Sequence, residues 1–469
     1  MCGVKRPDEG EQQELRKEGK VMINEFVGEF GLRTKKSGEI WQEARSHLPG
    51  GVGGSAAYFS PHPVYIDRAV GQKLYDVDGN EYIDLLLGGF PLILGHSSEP
   101  IIDAVSRQLK RGTSYMLFQE TGISLAKKMK EHMPHIEMVR FCNSGSEATM
   151  FAIRAARAWT GRDKIAKPEG GYNGQHDDVL VSGVSGKNKG SAGRPEGIAD
   201  CAGIPRCVVE NTVVLPWNDR EASLAMIEEN AKDLAAVILE PVQGFGMGII
   251  PADKEYLKAI REVTERNRIV LIYDEIVTGF RVSGLGGAVR HYGIPPDIGC
   301  YGKIMGGGFP IGAFGGRKDI MEKTVDPAAD PNYKIFQSGT FTGNAVSMTA
   351  GLACLEELET KEYSYLDGLV TKLADGLEKT SAEQGIDLKV TRINSMFYPH
   401  FNNKTISSMR DRLQDNAERS RSFSLGLISH GVWLPPNHSG AVSFAHTEED
   451  IDRVLSISKQ VLRTMREKE

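Results

Sequence analysis

The chain has 469 residues, with 56 Lys and Arg against 62 Asp and Glu, a net charge of −6 and a pI near 6.1. This mildly acidic balance argues against binding to nucleic acid or anionic membranes, and no apolar stretch approaches the ~20 residues that span a bilayer. The first twenty residues lack an apolar signal core and the six cysteines contain no Cys-x-x-Cys pair, so we predict a cytoplasmic protein without a metal site.

The first hundred residues contain two patterned segments. The charged segment 7–31 predicts a helical extension. Residues 65–84 predict a β-hairpin whose turn is Asp78-Gly79-Asn80, because Asp-Gly and Gly-Asn pairs between apolar runs favour tight turns.

Between about residue 100 and residue 320, short apolar runs alternate with helical periods, which is typical of an α/β domain with a largely parallel sheet. The predicted strands are 138–141, 179–182, 235–239, 269–273 and 311–314, and the predicted helices are 148–160 and 254–266. The loop 183–200 is rich in Gly, Lys and Ser and is interpreted as a lid. A second α+β unit follows residue 345 and ends in a helix over 448–466. We predict three regions: 1–100 as an extension and part of a small domain, 101–344 as a large domain, and 345–469 as the rest of the small domain.

The segment 141–148, Phe-Cys-Asn-Ser-Gly-Ser-Glu-Ala, runs from a predicted strand directly into a predicted helix. The free N–H groups and the dipole of a helix start attract anions, and Ser144 and Ser146 add hydroxyl donors. The pattern therefore predicts a phosphate site. The alternative is that one of the serines only caps the helix.

Asp274 and Glu275 follow the apolar run 269–273, at the strand edge where ligands bind in open α/β sheets. A carboxylate buried there needs a cationic partner, whereas an exposed one would only cap the next turn. Lys303 stands among glycines, with no other charge between residues 298 and 316. A desolvated lysine has a lowered pKa and can form a Schiff base, although a lysine here could also extend to water. An anion site, a carboxylate and such a lysine are the parts that hold pyridoxal 5′-phosphate.

From about residue 46 to residue 461, the chain resembles the class III aminotransferases of the fold-type I pyridoxal-phosphate enzymes, in particular the glutamate-1-semialdehyde aminomutase branch. The motifs that carry the resemblance are Asn-Ser-Gly-Ser-Glu-Ala at 143–148, Glu-Pro-Val-Gln at 240–243, Asp-Glu-Ile at 274–276, Gly-Lys-Ile-Met-Gly-Gly-Gly at 302–308, Gln-Ser-Gly-Thr at 337–340 and Ser-Phe-Ala-His-Thr-Glu-Glu-Asp at 443–450. The resemblance implies a large cofactor-binding domain with a mainly parallel seven-stranded sheet, and a smaller α+β domain built from both termini.

The resemblance also implies roles for single residues. Lys303 would form the Schiff base with the cofactor and carry the proton between substrate and cofactor, while Asp274 would keep the pyridine nitrogen protonated. Thr340 would reach the phosphate in the neighbouring subunit, which implies a homodimer. The other implied cofactor contacts are Gly145 and Ser146 at the phosphate, Tyr172 and Ile276 on the two faces of the ring, and Gln243 near the ring hydroxyl. The family usually has a histidine where this chain has Asn173.

The substrate residues of the aminomutase branch are missing from this chain. The branch has an arginine in the segment aligned with 49–57, a tryptophan in that aligned with 88–90 and a glutamate in that aligned with 437–440, and none is present here. We therefore predict a roomier and less cationic pocket, which an arginine from elsewhere, such as Arg281, could still enter. The predicted pocket residues are Tyr58, Gly89, Phe90 and His438.

These residues predict an aminotransferase that moves an amino group from an amine or a non-standard amino acid to a keto acceptor. A pyridoxal-phosphate aminomutase or racemase/epimerase would share every cofactor residue and is the alternative. A scaffold retained without catalysis is the non-enzymatic alternative. P-loop and serine-hydrolase signatures do not occur, because no Gly-Lys pair is followed by Ser or Thr and no Gly-x-Ser-x-Gly is present.

Overall fold

The structure, a computed structural model, describes residues 26–244 and 248–468. The β-strands are β1 Ile66–Val70, β2 Lys73–Asp76, β3 Glu81–Asp84, β4 Met138–Cys142, β5 Lys164–Pro168, β6 Gly190–Ser191, β7 Arg194–Pro195, β8 Thr212–Leu215, β9 Leu234–Leu239, β10 Val242–Gln243, β11 Ile250–Pro251, β12 Val270–Asp274, β13 Ile298–Gly302, β14 Gly312–Gly316, β15 Lys389–Ile393, β16 Met396–His400, β17 Val432–Trp433 and β18 Gly440–Ala441. The α-helices are α1 Lys35–Ala44, α2 Glu99–Leu109, α3 Glu120–His132, α4 Gly145–Thr160, α5 Arg206–Glu210, α6 Arg220–Asn230, α7 Lys254–Arg266, α8 Gly287–Tyr292, α9 Lys318–Thr324, α10 Ala345–Leu358, α11 Ser364–Glu383, α12 Met409–Arg412, α13 Ala417–Ser429 and α14 Glu448–Lys468. No helix in these residues is long and apolar enough to cross a membrane.

A seven-stranded sheet in the order β4-β14-β13-β12-β9-β5-β8 forms the centre of the large domain. All of its strands run parallel except β14, which is antiparallel to both neighbours, so the predicted mainly parallel sheet is confirmed. Every residue of β9 and β12 is buried, because helices cover both faces of the sheet. The carboxyl ends of the parallel strands meet at one edge.

One strand prediction is wrong, and a second predicted strand is present but antiparallel to its neighbours. Residues 179–182 do not join the sheet: Val179 ends a 3₁₀ turn and Val181 makes a single bridge to Ala199, while β8 takes the sheet edge beside β5. The run at 311–314 is a strand, shifted to β14, but it turns back beside β13. Its connection from β13 spans only nine residues, which is shorter than a parallel crossover needs.

Segments from both ends of the chain build a second group of sheets. The predicted hairpin is present as the antiparallel pair of β2 and β3, and β17 near the C-terminus adds to β3 in parallel. β15, β16 and β18 form a three-stranded sheet. The predicted C-terminal helix is present as α14, which packs on α11. The predicted extension at 7–31 lies mostly outside the described residues, and its described part is helical. The predicted lid at 183–200 contains the short hairpin of β6 and β7.

Candidate active site

A cavity of about 700 Å³ opens at the edge of the large sheet where the parallel strands end. The residues at or just after the ends of β4, β9, β12 and β13 border the cavity. The loop after β5 borders it too, but only from the fourth residue beyond the strand. Ligands of open α/β sheets bind at this edge. The predicted site residues that line the cavity are Gly89, Phe90, Gly145, Ser146, Tyr172, Asp274, Ile276, Lys303 and His438.

The predicted anion site is the start of α4. This helix begins three residues before the predicted start, because the Ser144 hydroxyl accepts a hydrogen bond from the Glu147 N–H at 3.2 Å and caps it. The Gly145 backbone packs so closely on Ile276 that an added Cβ would lie 2.9 Å from Ile276 Cδ1. Ser144 is therefore the cap, as the alternative interpretation has it. Gly145 and Ser146 line the cavity, and the phosphate site there stays a prediction, which the helix N-terminus favours.

Asp274 ends β12 at the cavity, and its side chain is buried. Its carboxylate accepts hydrogen bonds from Asn173 Nδ2 at 3.0 Å and from the Ile276 N–H at 3.1 Å. Burial raises the pKa of Asp274 to about 6, against these two donors and the charge of Lys303, which act to lower it. Glu275 points elsewhere: it accepts from the Ala288 N–H at 2.7 Å and from the Thr278 hydroxyl at 2.9 Å, so it holds the start of α8.

Lys303 follows β13 directly and has a left-handed backbone, with φ of 48°. Its amine donates a hydrogen bond to the Gly89 carbonyl at 2.9 Å. Loss of water and the charge of Arg281 lower the pKa of Lys303 to about 8, although Glu240 and Asp274 oppose the shift. A larger share of the amine is therefore uncharged near neutral pH than in an ordinary lysine, as nucleophilic and proton-transfer chemistry require.

Glu240 is a site residue whose role the sequence did not indicate. Its carboxylate lines the cavity and accepts from the Tyr172 N–H at 2.8 Å and from the Gly244 N–H at 3.2 Å. Burial and the neighbouring Asp274 raise the pKa of Glu240 to about 8. The glutamate thus fixes the backbone that carries Tyr172. Its position in the Glu-Pro-Val-Gln motif directly after β9 was the available signal.

Three predicted site residues lie away from the cavity. Gln243 is buried, and its Nε2 donates to the Glu169 carbonyl at 2.8 Å, while its Oε1 has no partner within the described residues. Tyr58 is half-exposed and lines a separate surface depression over residues 49–58. It does not border the large cavity, so this chain alone does not support its predicted place in the pocket. Thr340 is exposed, and its role toward a neighbouring subunit stays a prediction.

The predicted pocket residues that line the cavity are Gly89, Phe90 and His438, and they make this part of the lining weakly charged. Gly89 has φ of 84°, and a Cβ built on it would meet no atom within 4 Å, so space remains where the aminomutase branch has a tryptophan nearby. Phe90 and His438 border the same cavity. Within the described residues, Lys303 is the only lysine or arginine that borders the cavity.

The side chains around the cavity fit pyridoxal 5′-phosphate. The start of α4 suits its phosphate, Asp274 suits its pyridine nitrogen and Lys303 suits its aldehyde. Asn173 Oδ1 is buried beside Asp274 without a partner in the described part of the chain. Gly145 and Gly302 both pack closely on Ile276, so that a Cβ added to either would lie 2.9 Å or 3.2 Å, respectively, from Ile276 Cδ1. The fold and site together define a pyridoxal-phosphate-dependent enzyme of fold type I.

Comparison with known proteins places the chain within this class. The profile of the class-III aminotransferases matches residues 55–462, and the chain belongs to that family. A glutamate-1-semialdehyde 2,1-aminomutase of Archaeoglobus fulgidus is 44% identical over 438 residues, which cover 92% of this chain and all of that protein. An omega-transaminase from Sphaerobacter thermophilus has a similar structure, with a TM-score of 0.86 and 34% identity over 92% of this chain and 98% of that one. A transaminase with bound pyridoxal phosphate matches with a TM-score of 0.84 and 32% identity over the same shares.

The relatives bear on the two predicted activities differently. Further relatives at 39% and 40% identity also carry the aminomutase name. Their name fits the predicted alternative, an aminomutase, better than it fits net amino transfer. The cofactor and the enzyme family are common to both activities.

Proposed function

We propose that this chain is a pyridoxal-phosphate-dependent aminotransferase that takes an amino group from an amine or a non-standard amino acid and passes it to a keto acceptor. The observation that carries the proposal is the cavity wall, where Lys303 is the only lysine or arginine in the described residues. A substrate carboxylate beside the reacting carbon would lack the charge-assisted partner that such sites use, a loss of about 1.5–3 kcal/mol.

The residues around the cavity divide the work between them. Bound pyridoxal phosphate supplies an electron sink for the bond at the substrate carbon that loses its proton. Asp274 holds the proton at the pyridine nitrogen. Lys303 takes the proton from the substrate carbon with its Nζ and returns it, and the Gly89 carbonyl orients that amine. Glu240 and Asn173 keep Tyr172 and Asp274 in position.

The working form that we propose is a homodimer in the cytoplasm. Exposed apolar side chains on the segments around residues 116 and 340 support a protein partner, since such side chains are costly in water. The strongly exposed ones are Met116, Leu117, Phe336 and Phe341. In this arrangement Thr340 would serve the neighbouring site. The division into regions 1–100, 101–344 and 345–469 is part of the same proposal.

An aminomutase is the second candidate, favoured by the names of relatives up to 44% identical. Such an enzyme would move the amino group within one substrate and return its cofactor to the aldehyde form. The retained cofactor residues do not distinguish it from an aminotransferase. The missing arginine, tryptophan and glutamate of the aminomutase branch argue for a different substrate.

A single-turnover experiment separates the two. The purified holoenzyme is incubated with a panel of amines but no keto acceptor, and pyridoxamine phosphate is measured by absorbance and chromatography. Accumulation of one equivalent per site supports the aminotransferase, and a later addition of an aldehyde or ketone without a carboxylate on its carbonyl carbon should regenerate pyridoxal phosphate. Isomerised substrate without accumulation would instead establish the aminomutase.

Lys303→Ala tests the catalytic assignment in the same assay. We expect a folded protein without turnover, because the proton carrier is lost. Lys164→Ala is the matched control, since Lys164 pairs with Asp233 at the surface. Undiminished turnover in Lys303→Ala would refute the role of Lys303.

A further inference from the structure

Arg281 is a fully buried cation beside the cavity that has no carboxylate partner among the described residues. Its Nη1 donates to the Ser395 hydroxyl at 2.5 Å and its Nη2 donates to the Phe90 carbonyl, while its Nε is buried without a partner in the described chain. Neutral acceptors compensate a buried charge less well than a carboxylate does. The guanidinium therefore retains unused capacity to bind an anion, yet it does not border the cavity.

The side chain of Phe90 is close to both Arg281 and the cavity, so it can explain why the guanidinium does not reach the cavity. Its aromatic ring is centred 5.5 Å from Arg281 Cζ and 5.2 Å from Lys303 Nζ, and Phe90 itself borders the cavity. The ring thus contacts both the lysine of the site and the arginine excluded from it. Its π face also offers each cation a weak partner in place of an anion.

The backbone around Phe90 is held in an unusual shape. Four consecutive residues, Leu87 to Phe90, have positive φ values of 53°, 66°, 84° and 85°. This conformation costs a non-glycine residue about 1–2 kcal/mol, so it needs support from outside the segment. Lys303 and Arg281 supply it, because they donate to the successive carbonyls of Gly89 and Phe90.

We infer that Phe90 determines the substrate class of this site by screening Arg281 from the cavity. With the ring in place, the pocket takes primary amines whose reacting carbon carries apolar substituents, and it disfavours substrates with a carboxylate on that carbon. Removing the ring opens the cavity to the guanidinium and creates a carboxylate site. This inference rests on the proposed amino transfer and names the substrates for it.

The test uses the variant Phe90→Gly, because glycine adopts φ of 85° without strain. Phe309→Ala is the matched control: Phe309 borders the same cavity, so its truncation enlarges the pocket without removing the ring beside Arg281. The probes are benzoate and its neutral analogue benzamide, and their dissociation constants are measured by calorimetry on the holoenzymes. Arg281→Met and Arg281→Lys in the Phe90→Gly background report whether a gain depends on the charge.

We expect Phe90→Gly to bind benzoate about tenfold to hundredfold more tightly than the unmodified enzyme does, with benzamide affected no more than in Phe309→Ala. Arg281→Met should abolish the gain, and Arg281→Lys should retain part of it. Unchanged benzoate affinity in Phe90→Gly, or a gain that survives Arg281→Met, would overturn the inference. The unmodified enzyme's accumulation of pyridoxamine phosphate tests the proposed function separately, because the binding measurements do not depend on turnover.

Discussion

Asn173 offers the sharpest test of how the site keeps its strand-end carboxylate charged. The family usually has a histidine at this position, and here the amide donates a hydrogen bond to the buried Asp274 carboxylate at 3.0 Å. Asn173→Ala removes that donor and leaves only the Ile276 N–H at 3.1 Å among the donors identified to this carboxylate. We expect the variant to lose stability at alkaline pH, where Asp274 is ionised, and to lose less at acidic pH.

The loss of stability expected in Asn173→Ala can be estimated from the hydrogen bond between the Asn173 amide and the Asp274 carboxylate. A hydrogen bond to a charged group contributes about 1.5–3 kcal/mol, which corresponds to a rise of about one to two in the pKa of Asp274, starting from about 6. At roughly 2.1 cal/mol/K per residue, the unfolding entropy of 469 residues is about 1 kcal/mol/K. The thermal midpoint of the cofactor-free protein should therefore fall by about 1.5–3 °C at pH 8. Below pH 5 both proteins carry a neutral Asp274, so the difference should shrink.

The assay is differential scanning of the cofactor-free proteins at pH 5 and pH 8, repeated with Asp274→Asn. In that background Asn173→Ala should cost no more than a neutral hydrogen bond, about 1 kcal/mol. Thr278→Val is the matched control, because Thr278 donates to the other buried carboxylate, Glu275, at 2.9 Å. Its effect should persist when Asp274 is replaced. A loss in Asn173→Ala that is equal at both pH values and unaffected by Asp274→Asn would refute the reasoning.

Two further predictions concern stability. Gly312→Ala should sharply reduce the yield of folded protein, since a Cβ there would collide with the Ser144 carbonyl, whereas Gly53→Ala, with nothing within 4 Å, should fold normally. The thermal midpoint of the cofactor-free protein should fall as the pH rises from 6.5 to 8. Burial raises the pKa of Glu240 to about 8, so the folded protein favours the protonated acid. The folded state therefore loses stability relative to the unfolded chain as the pH rises and the acid ionises. Glu240→Gln should flatten that decline, because it removes a contribution of up to ~2 kcal/mol to the pH-dependent free energy of unfolding. The exposed Glu221→Gln should leave the decline unchanged.

The predictable parts of the fold were those with an uninterrupted local pattern. β9, β12 and α7 lie within one residue of their predicted bounds, because their apolar residues recur at every position or at the helical period. β5 was missed because it contains two lysines and a proline. One of these, Lys167, is buried, and its amine donates to the carbonyls of Gly171 and Val181. Those acceptors come from a later loop, so no pattern within the strand indicates that the lysine is inside.

The same limit applies to the candidate site. Lys303 and Asp274 could be identified because each is a charge beside an apolar run, and the structure places both at one cavity. The contacts of Arg281 could not be identified from the sequence, since its partners Phe90 and Ser395 lie 191 and 114 residues away. The sequence indicated only that an arginine could approach the pocket. The contacts made by its guanidinium depend on how the second group of sheets packs against the large domain.

The charges of the site are also better explained by function than by folding. Asp274 and Glu240 are both buried, which raises the cost of ionising each of them, and the charge of Asp274 raises the cost of ionising Glu240 further. A chain selected for stability alone would replace such acids with neutral groups, because a buried charge without a close counter-charge destabilises the fold. Their retention beside Lys303 is understandable if a bound ligand supplies the missing positive charge at Asp274. The protonated pyridine nitrogen of the family's cofactor is such a group, so the instability of the empty site and the chemistry of the filled one have the same origin.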